Sequence, residues 1–275
     1  MVEGSHRDTD RVRAWKPAIP EIVEVFHARF AHYAYPAHAH QTWTLFLVDD
    51  GAIRYDLDRH PHGTDPSTVG VLPPYVVHDG RPATSDGFRK RVLYLASAAL
   101  GEELIGPAVD QPVIGDPVLR RHLSAIHGLL NHADDALEAE SRLAVALDRL
   151  RGHLRRRAAT DPAWPQRPGS LAEQFRALLD TDLAASVSLG TASQTLGANP
   201  AHLVRSFTRQ FGVPPHAYQL GRRIELARQR LLDGEPASEV AASVGFYDQS
   251  HFTRHFKRYV GTTPGRYALA SHDGA

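Results

Sequence analysis

Residues 244–267 read VGFYDQSHFTRHFKRYVGTTPGRY, and the order of residue types in this stretch decides the fold of the last third of the chain. Phe252, Phe256 and Val260 recur at every fourth position, so they share one face of a helix. Asp248 precedes that helix as an N-cap, where its carboxylate also suits the helix dipole. Gly261 follows it, in the position where a left-handed residue ends a helix. The stretch therefore predicts a short helix with an apolar face and a cap at each end.

The same pattern occurs 49 residues earlier. Leu203, Phe207 and Phe211 take the apolar positions, and Gly212 takes the helix-ending position. Asn199 stands before a proline, the order expected for an N-cap followed by the first residue of a helix. The last third of the chain therefore contains an internal repeat of a capped helix.

Each capped helix follows a shorter apolar segment and a glycine-containing turn. The first segment, residues 189–196, ends at Gly197, and the second, residues 240–244, ends at Gly245. A helix, a tight turn and a second capped helix form a helix-turn-helix unit. A helix from about Pro215 to Leu232 is expected to join the two units. Two bridged copies are a far more specific signal than one.

The first part of the chain has a different pattern, with short β-like runs separated by turns. Thr42–Val48 ends at an Asp-Asp-Gly turn, Ile53–Leu57 alternates weakly, Val69–Leu72 precedes two prolines, and Phe88–Leu95 is a further candidate strand. Such a series predicts a small antiparallel barrel or sandwich.

Two leucine-rich stripes follow between residues 116 and 157 and predict an antiparallel helical hairpin. The stripes are Leu119, Leu123, Ile126 and Leu130, then Leu143, Leu147, Leu150 and Leu154. Two interpretations stay open: both stripes pack on the barrel, or one is a dimer seam. Residues 158–172 contain three prolines and are predicted to be a linker that few contacts cross. The C-terminal fragment should then fold alone around its own core.

These patterns resemble the AraC/XylS family of transcription regulators. The resemblance to the family's DNA-binding domain covers about Ser188 to Ala270, and the stretch quoted first is its strongest part. The N-terminal part is similar, from about Glu21 to Leu95, to the family's cupin-type sensor domain. This second match is carried by His38-Ala39-His40, Gly51, Val71-Leu72-Pro73-Pro74 and His78-Asp79-Gly80. It implies a double-stranded β-barrel that binds a small effector, with the following helices pairing two subunits.

The resemblance also implies which side chains meet DNA. The matching base-facing positions are Ala201, Val204 and Arg205 in the first copy, and Gln249, Ser250, Thr253 and Arg254 in the second. Arginine can form two hydrogen bonds with guanine and glutamine with adenine, so the second copy is the more discriminating reader. Further along the helices, Arg209, Lys257 and Arg258 suit phosphates. The alternative is that these residues are only solvated helix faces.

Three histidines of the predicted barrel form a candidate metal site. His38 and His40 lie two residues apart, so a strand directs both imidazoles to one face, and His78 could approach from a neighbouring strand. The resemblance implies that metal-dependent cupins place ligands at these positions, and the possible divalent ion is Zn, Ni or Fe. The glutamate that usually follows is replaced here by Thr44 and Leu45. One alternative is an effector pocket lined by the histidines together with Trp43 and Tyr55. Another is that the histidines bond only to each other and to the backbone.

Composition excludes several other classes of protein. The 275 residues include no cysteine, so neither a disulfide framework nor a thiolate metal site is available. We expect no signal peptide and no transmembrane helix, and therefore a cytoplasmic protein without membrane partners. Bases and acids balance at 31 each, but bases exceed acids by ten to five between Ser188 and Ala270, which favours a polyanionic partner.

We therefore predict an α+β protein of two domains. The boundaries are an N-terminal arm (1–19), a cupin-like effector-binding and dimerisation domain (20–157), a linker (158–172) and an all-α DNA-binding domain (173–275). The expected function is sequence-specific transcription regulation in response to a small-molecule effector. The expected partners are double-stranded DNA, a second copy of the chain and, for an activator, RNA polymerase. The alternative is a metal-dependent cupin enzyme, a dioxygenase or isomerase, fused to a DNA-binding domain.

Overall fold

The computed structural model describes residues 10–130, 135–158, 169–185 and 187–269. Within these ranges the first part of the chain forms ten strands and the rest is mainly helical. The strands are β1 (Arg11–Trp15), β2 (Ile22–Phe30), β3 (Tyr35–His38), β4 (Trp43–Gly51), β5 (Ile53–Leu57), β6 (His60–Thr64), β7 (Val69–Leu72), β8 (His78–Pro82), β9 (Phe88–Leu95) and β10 (Val113–Ile114). The helices are α1 (Ile105–Asp110), α2 (Pro117–Leu129), α3 (Ala136–Ala158), α4 (Leu171–Thr181), α5 (Leu189–Leu196), α6 (Pro200–Phe211), α7 (Pro215–Leu232), α8 (Ala237–Ser243), α9 (Gln249–Val260) and α10 (Pro264–Leu269).

The strands form two antiparallel sheets with interleaved connections. One has the order β1-β2-β9-β4-β7-β10 and the other β3-β8-β5-β6, so the architecture is the predicted barrel-like sandwich. The predicted N-terminal arm is corrected in part, because Arg11–Trp15 is an edge strand of the larger sheet, paired along its whole length with β2. Residues 1–9 of that arm lie outside the described residues.

Strand β4 corresponds to the predicted run Thr42–Val48. Its first six residues are all buried, because one face lines the barrel interior and the other packs under the helices. Gly51 ends it with a φ of 72°, and a Cβ at this position would lie 2.2 Å from the carbonyl oxygen of Gly87. The turn therefore requires glycine for both its backbone conformation and its space.

The predicted helical hairpin is present as α2 and α3. Of the two leucine stripes, every member except the partly buried Leu130 is buried. The stripe of α2 packs on strand β4 of the barrel as predicted, whereas the stripe of α3 packs mainly on α1 and α2. Because both stripes are buried within the chain, neither is free to form a dimer seam.

The C-terminal helices match the predicted repeat closely. Helix α7 spans the predicted bridge, and the caps behave as expected: Asn199 accepts a hydrogen bond from the backbone N–H of Ala201, and Asp248 from that of His251. Gly212 and Gly261 are left-handed, with φ values of 74° and 86°. Both helix-turn-helix units are thus formed, α5 with α6 and α8 with α9. Helix α4, which begins inside the predicted linker, was not predicted, and residues 159–168 of that linker lie outside the described residues.

The two helix-turn-helix units relate differently to the barrel. The first unit has its own core, made of Phe175, Leu179, Ala192, Leu203, Phe207, Val213 and Tyr218. The second unit shares one continuous core with the barrel, in which Phe252, Phe256 and Tyr267 join the barrel residues Phe26 and Phe30. The prediction that each half owns its core is therefore wrong for the second unit.

A buried polar contact fastens the second unit to the barrel. Glu24 of β2, 3% exposed, accepts hydrogen bonds from Arg228 Nη2 of α7 and from the Tyr267 hydroxyl of α10, both at 2.5 Å. A second contact lies nearby, where the Glu225 carboxylate accepts the backbone N–H of Gln41 at 2.8 Å. Since buried charges are stable only when paired, these contacts fix one orientation of α7 on the barrel.

Candidate nucleic-acid interface and barrel site

Helix α9 presents a polar, basic face to solvent. Its N-terminal residues Gln249, Ser250 and Arg254 are exposed and Thr253 is half-buried, while the apolar residues point into the shared core. Lys257 and Arg258 are exposed on the last turn. Among the described residues, no ion pair involves any of the basic side chains of this helix. They are therefore available to a polyanion.

Helix α6 presents a smaller face of the same kind. Ala201 and Arg205 are exposed and Val204 is half-buried. Arg209 is also exposed, but it lies about 80° around the helix from Ala201 at roughly 100° per residue, close to His202. It lines a cleft between this helix and the barrel. Arg209 therefore lies at the edge of that face, and its contact with a phosphate stays a prediction.

The three predicted histidines meet inside the barrel. His38 and His78 are directly paired across strands β3 and β8, and His40 follows two residues later on the same side. One ligand nitrogen from each lies within 4.8 Å of the other two, and His40 Nε2 is 3.1 Å from His78 Nε2. The convergence expected from the sequence is thus present in the structure.

Hydrogen bonds define the protonation of these rings. His38 Nδ1 lies 2.7 Å from the Pro36 carbonyl oxygen and His78 Nδ1 lies 3.0 Å from that of Val76. Because a carbonyl only accepts, each neutral ring carries its proton on Nδ1 and directs the Nε2 lone pair into the cluster. His40 then donates from Nε2 to His78, and its Nδ1 faces the hydroxyl of Thr44 at 3.5 Å.

Burial keeps the cluster uncharged. It lowers the pKa of His38 to about 4 and lowers the pKa values of His40 and His78 well below the usual range. Burial also lowers the pKa of Lys90, on the neighbouring strand β9, to about 7, with the charge of Arg228 contributing. Neutral imidazoles at pH 7 are the form that binds metals.

The cavity around the histidines is small, about 40 Å³. About 10–15 Å³ of such space holds one water molecule, so this cavity suits an ion or a few waters rather than an organic effector. Tyr55 lines the cavity as predicted, but Trp43 does not. Trp43 points to the opposite face of β4, where its Nε1 donates to the carbonyl of Leu100 at 3.1 Å. The assignment of Trp43 to the pocket is therefore wrong, because its side chain alternates away from that of Thr44.

Tyr35 and Lys90 are among the cavity residues that were missed from the sequence. Tyr35 has a buried hydroxyl with no hydrogen-bond partner among the described residues, and its ring packs against Lys90, whose Nζ lies 4.3 Å from the ring centroid. The sequence did contain a signal for Lys90, since it lies on the same face of one strand as the buried Phe88 and Val92. Thr44, which stands at the position expected for the glutamate, lines the cavity.

Comparison with protein-family models supports the division of the chain. Residues 22–147 match the model of an AraC-like ligand-binding domain, and residues 192–270 match a helix-turn-helix domain. None of the helices in the described ranges is long and apolar enough to cross a lipid bilayer. A ligand-binding barrel followed by two helix-turn-helix units defines a transcription regulator that carries its sensor and its DNA-binding domain on one chain.

Individual proteins of known class are similar to this chain over most of its length. The transcriptional regulator YbfI of Bacillus subtilis is 27% identical over 239 residues, which are 83% of this chain and 85% of that protein. The arabinose operon regulatory protein of Escherichia coli is 24% identical over 210 residues, 74% of this chain and 72% of that one. In fold, the chain is similar to ToxT of Vibrio cholerae, with a TM-score of 0.60 at 12% identity, covering 97% of this chain and 99% of the other.

This chain belongs to the AraC family of transcription regulators. It binds DNA through its helix-turn-helix domain and responds to a small molecule through its ligand-binding domain. The relatives are transcription regulators rather than enzymes, so the cupin-enzyme alternative is set aside.

Proposed function

We propose that the regulator reads its operator with α6 and α9 in successive major grooves. The observation that carries this is the repeat of a capped, exposed helix with basic side chains that lack an ion-pair partner among the described residues. Each N-terminus also presents its helix dipole to the phosphate backbone. Because its target is DNA, the protein would act in the cytoplasm.

The side chains divide by chemistry within this proposal. Arg205 and Arg254 reach guanine edges, and Gln249 reaches adenine. Ser250 and Thr253 accept or donate single hydrogen bonds, while Ala201 and Val204 contact thymine methyl groups. Lys257, Arg258 and, at the edge of the face, Arg209 contact phosphates. The second helix-turn-helix unit would therefore supply most of the sequence discrimination.

Arg254→Ala tests this division. The variant should lose about 1–3 kcal/mol of binding free energy for the operator and show a relaxed preference at one base pair. Its affinity for random DNA should change little. Lys257→Ala is the matched control on the same helix. It should weaken binding to the operator and to random DNA equally. It should also reduce the slope of log affinity against log salt concentration by about one. Equal loss on both DNAs for Arg254→Ala would assign that residue to phosphate instead.

We also propose that the histidine cluster holds one divalent ion of the Zn, Ni or Fe class. The donors fit once His40 takes its other neutral tautomer, with the proton on Nδ1 and the Nε2 lone pair free for the ion. Three neutral imidazoles then converge, and 3.1 Å between two nitrogens is close to the roughly 3.3 Å that bonds of about 2.0–2.1 Å give at a tetrahedral zinc. The carbonyls of Pro36 and Val76 would orient two of the rings, as outer partners of metal ligands do. A bound ion would supply a fixed positive charge that cross-links β3 to β8.

Metal content separates this proposal from a purely hydrogen-bonded cluster. The purified protein should bind one equivalent of Zn²⁺ or Co²⁺ and melt at a higher temperature with it, and His78→Gln should abolish both effects. His60→Gln, which changes an exposed histidine of the same barrel, is the control. If elemental analysis and Co²⁺ absorption show that the wild-type protein binds neither ion, the histidines form a hydrogen-bonded structural group and not a metal site.

Finally, we propose that two copies of the chain pair on the operator through the outer face of α3. Because both leucine stripes are buried, the contact must use other residues. Leu137 and Val145 remain 76% and 51% exposed on that face. Val145→Glu should convert a dimer to a monomer in sedimentation experiments, whereas Asp148→Asn should not. If the protein is an activator, RNA polymerase is a further partner, which transcription assays in vitro would detect.

A further inference from the structure

A cleft lies between the barrel and the first helix-turn-helix unit. Its volume is about 550 Å³, within the range of roughly 300–1,000 Å³ that small-molecule sites occupy. The barrel contributes the turn after β5 and the segment before β8, and the helical domain contributes α4 and α6. It is more than ten times larger than the cavity around the histidines.

Three arginines contribute to the polar lining. Arg59 enters from the barrel, and Arg176 and Arg209 enter from α4 and α6, with His202 beside them. The acids are Asp58 and Glu173.

The two acids compensate this charge only in part. Glu173 already pairs with Arg176 at 2.8 Å, and Asp58 reaches Arg59 only at 4.0 Å. Among the described residues no ion pair or hydrogen bond involves the guanidinium of Arg209. The cleft therefore has unused positive charge.

Aromatic and apolar groups form the rest of the wall. The guanidinium of Arg176 lies between two rings, 5.0 Å from the centroid of Tyr75 and 5.5 Å from that of Phe211. This stack holds a cation at a fixed position beside a flat apolar surface. Val77 and Ile105 complete that side. Such a wall suits a ligand that has an anionic group at one end and a planar or apolar body.

The backbone around the cleft is unusual. Asp58, Arg59 and Tyr75 have φ values of 45°, 69° and 68°, and they are the non-glycine residues with positive φ in the described part of the chain. All three line this cleft. Asp58 and Arg59 form the two-residue turn of the β5–β6 hairpin, which requires positive φ at both positions. Tyr75 lies outside any hairpin turn, and left-handed backbone of that kind is concentrated at ligand-binding and switch regions.

The position of the cleft connects it to DNA recognition. His202, Ser206 and Arg209 of α6 face the cleft, while Ala201 and Arg205 of the same helix face outward. The first unit has a separate core, whereas the second is fused to the barrel. A molecule in the cleft would thus contact a recognition helix directly and would span the junction at which the barrel and the first unit share no buried core.

We propose that this cleft binds an organic anion with an aromatic or apolar body, and that its occupancy sets the position of α6 relative to the barrel. The proposal rests on the regulator function and assigns its effector to the junction between the domains instead of to the histidine cluster. Coupling requires that the ligand prefer one arrangement of α6, which a site built from both domains provides.

The probe for this site is 8-anilinonaphthalene-1-sulfonate, an aromatic anion whose fluorescence increases on binding. The folded full-length protein should bind one equivalent saturably. Arg209→Gln and, separately, Arg59→Gln should each weaken binding at least tenfold. Arg121→Gln, an exposed arginine of α2 outside the cleft, should bind as wild type does. Circular dichroism and thermal melts should show all three variants folded, since the substituted side chains are exposed.

A second measurement addresses the coupling. The probe should change the operator affinity of the wild-type protein and leave that of Arg59→Gln unchanged, because Arg59 is on the barrel and away from the DNA-facing residues. Non-saturable probe binding, equal binding by both cleft variants and the control, or loss of binding only in His78→Gln would overturn the cleft assignment. If the unliganded wild-type protein fails to bind the operator, the proposed DNA interface is contradicted instead. The two failures are therefore distinguishable.

Discussion

Removing one partner of the Glu24–Arg228 pair should loosen the second helix-turn-helix unit from the barrel. The side chains of Glu24 and Arg228 are 4% and 12% exposed, and the Tyr267 hydroxyl shares the same carboxylate oxygen at 2.5 Å. Breaking a pair this deeply buried costs about 3–5 kcal/mol, because the remaining charge stays buried without its counter-charge. Arg228→Met should fall at the lower end, since Tyr267 still donates to Glu24. Glu24→Met should cost an amount of stability near the upper end of this range, since it leaves the Arg228 guanidinium buried without a carboxylate partner.

The double variant Glu24→Met with Arg228→Met distinguishes a buried charge from lost packing. Replacing both ions by apolar side chains of similar length removes the desolvation cost together with the attraction, so the double variant should be close to wild type in stability. Urea unfolding followed by circular dichroism gives the free energies. A single variant that loses less than about 1 kcal/mol, or a double variant as unstable as the worse single one, would refute the reasoning. In either case the pair would not fasten the two parts together.

Three further outcomes follow from the same structure. Burial, with the charge of Arg91, lowers the pKa of His27 to about 4, so the folded state should lose about 3 kcal/mol of stability from this residue as the pH falls from about 6.5 toward 4. His27→Gln should make the pH–stability curve less steep over that range, with the remaining slope due to the buried histidines of the cluster, whose pKa values are also lowered. Gly51→Ala should destabilise by more than about 1 kcal/mol in urea, whereas Gly63→Ala, where the nearest atom is 3.6 Å away, should not. In a fragment starting at Gly169, amide exchange should be slow in α6 and fast in α9, because only α9 loses its core; equal protection of both helices would contradict the shared core.

Helical signals in the sequence translated into structure because they are local. A cap, an apolar residue at every fourth position and a left-handed glycine all act within one turn, so Asp248, Phe252 and Gly261 could be interpreted without knowledge of any distant contact. The leucine stripes gave the hairpin for the same reason. The predicted strands were those whose alternation or burial is continuous, such as β4. Strands β2 and β3 were not predicted individually, because their partners are far away in the chain and their residues alternate less regularly.

The histidine cluster was predictable in position but not in size. The spacing of His38 and His40 fixes their common face, and pairing of β3 with β8 brings in His78. The volume left between them depends on how Tyr35, Phe46 and other bulky residues fill the barrel, which no local pattern records. The sequence therefore located the polar centre of the barrel and overestimated what fits there.

The junction between the domains lay beyond the sequence for a related reason. Glu24 is an ordinary strand residue and Arg228 an ordinary helix residue until the fold places them 2.5 Å apart, 204 positions away from each other in the chain. The same packing that buries this pair leaves the first helix-turn-helix unit with a separate core and a cleft of about 550 Å³ against the barrel. A regulator with two recognition helices needs only one of them to move for the spacing between them to change. Because α9 is held by a shared core and α6 is not, a ligand that acts at the α6 junction needs to work against fewer contacts than one that acts at α9.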